Sequence, residues 1–418
     1  MAWTLSAEIE DALWVAVRRL LPKAARSGRV LREAIVARSR LYTSERDRLV
    51  DRDHGPGNGR SDSRRDGRPT RVGEQADLAA RALFFTIADA AKIAVPLAEL
   101  DRAGLLSRSD QLSILDVGAG VGAMTLGVMD YLRAVGALRD GLQVTVHAID
   151  RDARALALMT AVLADVGQRF DARISLTTET RDLAGERALA SLTGPAGRAD
   201  LVLAGSVLNE LADSRRTELV QAMLRATRAD GSLVVLEPAL RETARALHSV
   251  RDQLLEQDLV RVFAPCVRQA APCPALAADK DWCHEDRPTS LSPQLARLAA
   301  DTGLRTHGLK FSYLTVRHPR AEGAQIDASS LGDERAAARL VSQSMRHKGR
   351  RECFICSDQG RVRLRLLRRR RGPGNQIFEK ARRGDVLLLP AVRTAGGDLT
   401  ENDEVQLVRA SEPSDRHP

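Results

Sequence analysis

Hydrophobic positions recur at helical spacing near the start of the chain. Successive apolar residues stand three or four positions apart, which is the period of one face of an α-helix. They are Leu5, Ile9, Leu13, Val17 and Leu20. The pattern predicts helix over 5–42 and again from about 77 to 96. Residues 43–75 are polar and rich in glycine and have no apolar period, so we expect a mobile loop between the two helical stretches.

From residue 112 onward, short apolar runs replace the helical period. These runs are 112–117, 142–150, 172–178, 199–207, 231–238 and 309–317. Helical stretches separate most of them, and this alternation is typical of a parallel sheet covered on both faces. After residue 335, two strand-like segments flank a turn at Gln359 and Gly360 and predict a hairpin. We therefore expect an α/β chain with a helical region over 1–100, a sheet domain over 101–320 and a small β-rich domain over 335–418.

Positive charge is concentrated in one part of the sequence. The chain carries a formal charge of +9, and residues 346–383 contain 14 arginines and lysines against three acids. The rest of the chain is slightly acidic, so the basic block indicates a polyanionic partner rather than a generally basic surface. The candidate contacts to nucleic-acid phosphates are Arg361, Arg363, Arg365, Arg368 and Arg369. The first three alternate onto one face of the predicted strand.

No segment of the sequence predicts export or membrane insertion. The first residues are acidic and lack a basic segment followed by an apolar stretch. No run approaches the ~20 apolar residues that a membrane helix needs. We expect a cytoplasmic protein that is a monomer and has no membrane partner. In a reducing compartment, clustered cysteines are more often metal ligands than disulfides.

The segment ILDVGAGVGAMT is typical of a strand, a glycine turn and the start of a helix. Gly118, Gly120 and Gly122 let the backbone approach a ligand closely, ahead of free helix N–H groups. Part of the pattern also fits the dinucleotide fingerprint. Asp116 before the first glycine, together with the third glycine, favours S-adenosylmethionine, and Asp150 is placed to accept hydrogen bonds from ribose hydroxyls. The alternative for both aspartates is that they only cap the helices that follow them.

Three further polar residues are candidates for the same site. Asp182, after the third predicted strand, is placed to meet the adenine amino group, with Glu179 as the neighbouring alternative. Asn209 and Glu210 occupy the place where amino-methylating enzymes carry an Asn/Asp-Pro-Pro-aromatic motif, which is absent here. They are the only catalytic candidates, and the competing interpretation is a polar pair at a helix start.

Three of the five cysteines lie within one loop. Cys266, Cys273 and Cys283 are separated by six and nine residues, whereas zinc modules usually use tight knuckles with two to four residues between ligands. The spacing favours an iron–sulfur cluster, which needs a fourth thiolate. Cys353 and Cys356 are the remaining cysteines, and residues three apart in a strand point to opposite faces, so only one should reach the site. Zinc bound by this C-x-x-C pair and two loop residues is the rival interpretation.

These features together resemble the methyltransferase-like proteins associated with the small ribosomal subunit in bacteria and mitochondria. The resemblance covers roughly 80–390 and rests on RALFFTIADAAKIAVPLAEL, ILDVGAGVGAMT, SVLNEL, LVVLEPALRETARALHSVRDQLL, CPALAADKDWCHED, KFSYLTV and CFICSDQG. It implies a class I S-adenosylmethionine methyltransferase fold, which is Rossmann-like, with a 4Fe–4S cluster. It also implies binding to small-subunit ribosomal RNA (rRNA) during assembly and translation. The cluster ligands that it implies are Cys266, Cys273, Cys283 and Cys356.

Two functional hypotheses follow. The first is an rRNA methyltransferase with a structural cluster, which the glycine turn and Asp150 support. The second is a non-catalytic assembly factor that uses the fold as a scaffold, which the missing amino-methylation motif supports. A nicotinamide oxidoreductase is disfavoured, because no acid stands ~20 residues after the glycines as that motif requires. In both hypotheses the expected partner is the small ribosomal subunit.

Overall fold

The structure is a computed structural model of the chain. The residues that it describes are 4–45, 71–106, 110–138, 141–185, 189, 191–195, 197–304, 308–321 and 335–409. Residues 46–70, the greater part of the loop predicted over 43–75, lie outside this set. The last part of that predicted loop is helical, because the helix Arg71–Ala80 begins there rather than near residue 77.

The predicted N-terminal helix is divided into three. Leu21 leaves the helical region of backbone space, with φ of −126° and ψ of 51°, because the ring of Pro22 disfavours helical geometry in the residue before it. A second break follows at Ser27, whose hydroxyl accepts a hydrogen bond from the Val30 N–H at 3.3 Å and caps the next helix. The three helices are Ala7–Leu20, Pro22–Arg26 and Gly28–Thr43.

The second helical stretch is one nearly continuous run that packs on the sheet domain. Its segments are the α-helix Arg71–Ala80, the π-helical turn Arg81–Thr86, the α-helical turn Ile87–Ala90, the 3-10 turn Ala91–Ile93 and the α-helix Ala94–Arg102. The run lies close to the helix Ala123–Ala134, since a Cβ built on Gly127 would stand 2.0 Å from the carbonyl oxygen of Ala90. Glycine at this position therefore permits the close approach of the two helices.

The central sheet has eight strands. They are β1 Gln111–Val117, β2 Gln143–Asp150, β3 Arg173–Thr180, β4 Ala199–Gly205, β5 Thr227–Pro238, β6 Arg261–Ala264, β7 Glu285–Arg287 and β8 Leu309–Arg317. The order across the sheet is β3-β2-β1-β4-β5-β8-β6, and β7 also pairs with β8. Strands β1 to β5 are parallel, whereas β8 is antiparallel to its neighbours. This order confirms the predicted class I methyltransferase fold.

Helices cover both faces of the central sheet, as buried parallel strands require. Those that follow the glycine turn are Ala123–Ala134, Ala153–Arg169, Asp213–Ala226, Arg241–Glu256 and Pro293–Thr302. Consecutive residues of β1 enter different cores: Ile114 is buried with the N-terminal helices, and Leu115 is buried in the core on the other face. Within the described ranges, none of the helices combines the length and the apolar character needed to cross a membrane.

The C-terminal part of the chain forms a second sheet of seven strands. They are β9 Arg335–Leu340, β10 Met345–His347, β11 Arg350–Ser357, β12 Gly360–Leu367, β13 Val386–Pro390, β14 Gly397–Leu399 and β15 Gln406–Val408. The predicted hairpin is formed by β11 and β12, which pair antiparallel with Ser357 opposite Gly360. Cys353, Leu364 and Leu366 face the core of this sheet. The β-rich C-terminal part that the sequence predicts is therefore present.

The buried carboxylate of Glu99, on the helix Ala94–Arg102, joins the two sheets. Arg339, on β9, donates hydrogen bonds to both carboxylate oxygens of Glu99, at 2.8 and 3.0 Å. Tyr313, on β8, donates its hydroxyl to the same carboxylate at 2.9 Å. The side chains of Glu99 and Arg339 are 0% and 3% exposed. Because neither charge is solvated, the contact between the sheets depends on keeping both partners.

Candidate functional site

A cleft of about 830 Å³ lies at the carboxyl ends of the parallel strands. This is the position at which ligands bind in open α/β sheets. Four of the predicted cofactor residues line the cleft: two are on the glycine turn, one ends β2 and one follows β3. They are Gly118, Gly120, Asp150 and Asp182. The N-terminal helices bound the cleft on its other side.

The glycine turn has the conformation that its sequence predicts. Gly118 and Gly120 have φ of 69° and 55°, in the left-handed region that residues with a side chain rarely adopt. At Gly118 a side chain is also excluded sterically, since a Cβ there would lie 2.4 Å from Cγ2 of Val207. The bare backbone of the turn therefore forms part of the cleft wall, where a ligand can approach it closely.

Asp150 stands at the end of β2 and bonds to the glycine turn. Its Oδ2 accepts a hydrogen bond from the Gly120 N–H at 2.8 Å, and its Oδ1 accepts one from the Asp152 N–H at 2.8 Å. The cap of the following helix is Asp152, whose side chain accepts hydrogen bonds from the N–H groups of Arg154 and Ala155. Asp150 is therefore not the helix cap, and it ties the end of β2 to the glycine turn at the wall of the cleft.

Asp116 and Gly122 lie behind the turn, and neither lines the cleft. Oδ2 of Asp116 accepts hydrogen bonds from the N–H and the hydroxyl of Thr125, at 3.3 and 2.7 Å. Thr125 belongs to the first turn of the helix Ala123–Ala134, whose N-cap residue is Gly122, so this contact is of the capping kind, and a cofactor contact of Asp116 stays a prediction. Burial raises the pKa of Asp116 to about 6. At Gly122, φ is 90° and a Cβ would lie 2.8 Å from Met159, so this glycine also shapes the turn.

Of the two candidates for the adenine contact, Asp182 lines the cleft and Glu179 does not. Oδ1 of Asp182 accepts a hydrogen bond from the Ala184 N–H at 3.1 Å, and this local turn holds the side chain in place. Glu179 instead pairs with Arg181 and lies 3.4 Å from His147. The geometry therefore favours Asp182 over its neighbour.

Asn209 and Glu210 follow β4, and both line the cleft. Nδ2 of Asn209 donates to Oε2 of Glu237 at 2.8 Å, and Glu210 pairs with Arg151 at 3.1 Å. The other carboxylate oxygen of Glu237 accepts a hydrogen bond from the Leu208 N–H at 2.8 Å. Glu237 is buried and holds the segment after β4 without lining the cleft. Motif reasoning missed this positioning residue, although a lone acid in the apolar run GSLVVLEP marks it.

A second group that the sequence patterns missed comes from the N-terminal helices. Arg81 donates to Asp152 at 2.7 Å, and its Nη2 stands 3.3 Å from the place of a Cβ on Gly120. The guanidinium therefore lies beside the glycine turn. Other helical residues that line the cleft are Arg38, Tyr42 and Phe85. Arg81 and Phe85 lie in the family-resemblance stretch RALFFTIADAAKIAVPLAEL, but no cofactor motif includes these positions, because only helix packing brings them to the turn.

Four of the five cysteines line one cavity between the two sheets. They are Cys266, Cys273 and Cys283 from the loop and Cys356 from β11. Cys353, on the opposite face of the same strand, is fully buried in the core of the second sheet. Strand alternation predicts this separation. The four thiols that share the cavity are those that the family resemblance implies.

Three of these thiols have raised pKa values in the cavity. Burial raises the pKa of Cys273 and Cys356 to about 12, and Cys266 contributes to both shifts. Burial also raises the pKa of Cys283, and the other three thiols add to that shift. In the part of the chain that the structure describes, no group of three or more His, Cys, Asp or Glu side chains is arranged to hold a metal ion. The metal centre therefore stays a prediction.

Arginines of the helix Arg241–Glu256 hold the cysteine loop. Arg245 donates hydrogen bonds to four carbonyl oxygens of the loop, at 2.8–3.3 Å. They belong to Ala275, Leu276, Ala278 and Asp281. Arg251 donates to the carbonyl oxygens of Arg268 and Ala270, at 2.8 and 3.1 Å. Carbonyl groups that an irregular loop would leave unpaired are thereby satisfied, which favours one loop conformation.

Two of the cysteines are also held through their own backbone atoms. The Cys273 N–H donates to Oδ2 of Asp252 at 2.7 Å. The carbonyl oxygen of Cys283 accepts a hydrogen bond from the Ser312 hydroxyl at 2.7 Å and lies 3.3 Å from Nε2 of His248. Burial lowers the pKa of His248 to about 4. These contacts set the positions of two of the thiols independently of any bound group.

Two of the five candidate RNA-binding arginines are engaged within the protein. Arg361 pairs with Asp281 of the cysteine loop at 2.6 Å, and Arg365 pairs with Asp398 at 2.7 Å. Each carboxylate neutralises part of the charge that a phosphate would otherwise meet. The strand therefore uses these two arginines in local contacts, which the charge count along the sequence does not reveal.

The other three candidates form the exposed arginine set, defined here as Arg363, Arg368 and Arg369. Within the described residues, no ion pair joins any of them to a carboxylate. Arg363 lies over the ring of Phe354, 5.3 Å from its centre, which fixes the direction of its guanidinium. This set is therefore the part of the basic block best placed to meet an external phosphate.

Comparison with known protein families gives one match over most of the chain. The family model described as the mitochondrial small ribosomal subunit Rsm22 matches residues 90–388. The matched region includes the glycine turn, all five cysteines and the basic hairpin. No curated protein matches the sequence.

Similar solved structures include two methyltransferases. One is magnesium protoporphyrin IX methyltransferase from Synechocystis PCC 6803 with bound SAH: the identity is 13%, over 68% of this chain and 98% of that chain, with a TM-score of 0.32. The other is a putative class I S-adenosylmethionine-dependent methyltransferase from Listeria monocytogenes: the identity is 12%, over 76% of this chain and 89% of that chain, with a TM-score of 0.33. Neither similarity bears on what this chain binds.

Proposed function

The chain belongs to the Rsm22 family of mitochondrial small ribosomal subunit proteins, and we propose that it binds S-adenosylmethionine and acts on the small ribosomal subunit in assembly or translation. In this proposal rRNA is bound through the second sheet, and an iron–sulfur cluster links that sheet to the cysteine loop. The cytoplasmic location and the monomeric state stay predictions. The family description names a mitochondrial subunit, which does not match the predicted location.

The observation that carries the cofactor proposal is the contact between Asp150 and the glycine turn. The carboxylate stands at the end of β2, 2.8 Å from the Gly120 N–H, where it lines the same cleft as the bare turn backbone. An acid in this place has further acceptor capacity, because each carboxylate oxygen has two lone-pair directions. The ribose hydroxyls of the cofactor are the donors that fit it, and S-adenosylmethionine would supply the activated methyl group.

Asp150→Ala is expected to weaken the binding of S-adenosylmethionine about tenfold or more. A hydrogen bond from a hydroxyl to a carboxylate contributes about 1.5–3 kcal/mol, which corresponds to this change in affinity. Isothermal titration calorimetry measures the dissociation constant. Asp165→Ala is the matched control. Asp165 pairs with Arg169 within the helix Ala153–Arg169 and does not line the cleft. An unchanged dissociation constant for Asp150→Ala would remove this residue from the site.

The chemistry of the donor set supports a cluster at the cysteine cavity. Four thiols line it, which is the number of thiolates that a 4Fe–4S cluster requires. The zinc alternative needs both cysteines of the C-x-x-C pair, but Cys353 lies in the core of the second sheet, away from the cavity. When bound, the cluster would link three positions of the loop to Cys356. Its binding free energy would then add to the stability of the junction.

The exposed arginine set supports an RNA contact through phosphate. We expect Arg363→Gln, Arg368→Gln and Arg369→Gln together to lower the salt dependence of rRNA binding, reducing the slope of log K against log[salt] by about 2. Arg361→Gln with Arg365→Gln is the control on the same strand, because both arginines are already paired with carboxylates. Filter binding at several salt concentrations gives both slopes. If the slope falls equally in the two variants, the exposed and the paired arginines do not differ in RNA binding.

One observation favours a second candidate function, a non-catalytic assembly factor. Both catalytic candidates are committed to internal contacts, Asn209 to Glu237 and Glu210 to Arg151. Incubating the protein with methyl-labelled cofactor and small subunits from a strain that lacks it separates the two functions. Label in the rRNA is the result expected of an enzyme. Cofactor binding without label transfer would establish the scaffold function.

A further inference from the structure

The helical side of the cleft carries a cluster of aromatic and cationic side chains that the cofactor motif does not use. We call it the helical wall, defined as Arg38, Tyr42, Arg81 and Phe85. All four line the cleft together with the glycine turn. Aromatic residues make up only 3% of the sequence, so two that line one cleft form a notable concentration of flat apolar surface.

The two aromatic rings of the helical wall are held in a defined geometry. Tyr42 and Phe85 meet edge to face, with ring centres 5.1 Å apart and planes at 88°. The guanidinium of Arg38 lies over the Tyr42 ring at 5.5 Å. Within the described residues, no hydrogen bond engages the Tyr42 hydroxyl, whereas those of Tyr131 and Tyr313 each donate to a buried carboxylate. Tyr42 therefore keeps a polar group for a partner in the cleft.

Each cation of the helical wall is fixed by its own carboxylate. Arg38 pairs with Asp77 through two hydrogen bonds, of which the one from Nε is 2.7 Å long. Arg81 donates to Asp152 at 2.7 Å. Arg81 also begins the π-helical turn Arg81–Thr86, and such turns are rare and frequent at functional sites. The wall is thus organised before any ligand binds, which lowers the entropy cost of binding.

Across the cleft, the helical wall faces the segment that follows β4. Burial raises the pKa of Tyr42, and the charge of Glu210 adds to the shift. Burial also raises the pKa of Glu210, while Arg81 and Arg38 are among the charges that oppose the shift. The helical wall and the two residues Asn209 and Glu210 line the same cleft. The space between them lies at the end of β4, next to the cofactor turn.

We propose that the helical wall is a subsite for an unstacked nucleobase, which would lie between Tyr42 and Phe85 on one side and Asn209 and Glu210 on the other. This inference rests on the proposed function, because the base would belong to the bound rRNA. A flat π surface suits a base, since stacking of one base on an aromatic side chain contributes about 1–3 kcal/mol. The polar edge of the base would meet the oxygen and nitrogen atoms of Asn209 and Glu210 across the cleft.

The test uses the full chain with S-adenosylhomocysteine at saturation and the four ribonucleoside 5′-monophosphates, each titrated separately. Saturation-transfer NMR reports which nucleotide protons contact the protein. For at least one nucleotide, we expect saturation of the base protons to exceed that of the ribose protons. Tyr42→Leu and Phe85→Leu should each weaken that nucleotide's binding roughly five- to a hundredfold. Tyr42→Phe should keep most of it.

Phe170→Leu is the matched control, because Phe170 also lies under a guanidinium, that of Arg133 at 4.5 Å, and does not line the cleft. It should leave nucleotide binding unchanged. The proposal is overturned if no nucleotide binds, or if binding survives both Tyr42→Leu and Phe85→Leu. It is also overturned if Tyr42→Leu weakens S-adenosylhomocysteine instead, since the wall would then serve the cofactor. If the wild-type chain does not bind S-adenosylhomocysteine, the proposed function fails. The nucleotide titrations are then repeated without S-adenosylhomocysteine, and they test the base subsite by itself.

Discussion

Purified without oxygen, the Cys356→Ser variant is expected to lose its iron, from about four atoms per chain to near zero, together with its visible absorption. The reason is geometric. Cys356 is the one thiol from the second sheet that lines the cysteine cavity, and the other three come from the loop. Without the cluster, the loop and the hairpin would no longer be joined through metal. A protease should therefore cleave the variant faster near the junction in limited proteolysis. Iron and sulfide analysis measures the first effect.

Cys353→Ala is the matched control for this prediction. Cys353 has no exposed surface and packs with Ile355 and Leu364 in the core of the second sheet. Its replacement removes one small buried group, which costs about 1 kcal/mol of stability but should leave iron unchanged. If Cys353→Ala loses iron and Cys356→Ser keeps it, then Cys356 is not the fourth ligand. If the analysis finds one zinc per chain and no iron or sulfide, the site is a zinc site and the cluster proposal is wrong.

Glu99→Ala is expected to lower the free energy of unfolding by about 3–5 kcal/mol, because it leaves the Arg339 guanidinium buried without its carboxylate. The Tyr313 hydroxyl would lose its acceptor at the same time. Because Arg339 belongs to the second sheet, the loss should appear first as undocking of that sheet. Denaturant unfolding gives the free energy, and hydrogen exchange along β8 and β9 locates it.

Two further variants separate the charge pair from simple loss of packing. Glu99→Leu combined with Arg339→Met should recover most of the stability, since a buried ion pair can be replaced by apolar residues of similar volume at little cost. Glu33→Ala is the surface control: Glu33 pairs with Arg29 on an exposed helix, and its loss should cost about 0.3–0.5 kcal/mol. A Glu99→Ala effect no larger than this control would mean that the sheets do not depend on the pair.

Local patterns in the sequence were sufficient for the fold class, the glycine turn and the division of the cysteines. The change from a helical period to short apolar runs predicts the parallel sheet, because side-chain periodicity is a property of each element by itself. Gly118 and Gly120 adopt left-handed φ values, a requirement of the turn that the residue type itself reveals. Strand alternation alone places Cys353 and Cys356 on opposite faces.

The sequence pattern is incomplete where neighbours in space bond to a side chain. Asp116 stands in the expected place before the glycines, but it bonds to Thr125 behind the turn. Arg361 and Arg365 alternate as predicted, yet each meets a carboxylate from another segment. A count of charges along the sequence includes these cations, but it does not show which acids the folded chain brings next to them.

Only the tertiary structure decided which distant residues share a site. Arg339 bonds to Glu99 across 240 positions of sequence, and Arg81 reaches the glycine turn from a helix that no motif connects with it. Periodicity reports which face of an element is buried, but not what lies against that face. Contacts between elements depend on how the elements pack, and packing is set by the shapes of many side chains together. The cleft and the cysteine cavity are both products of that packing.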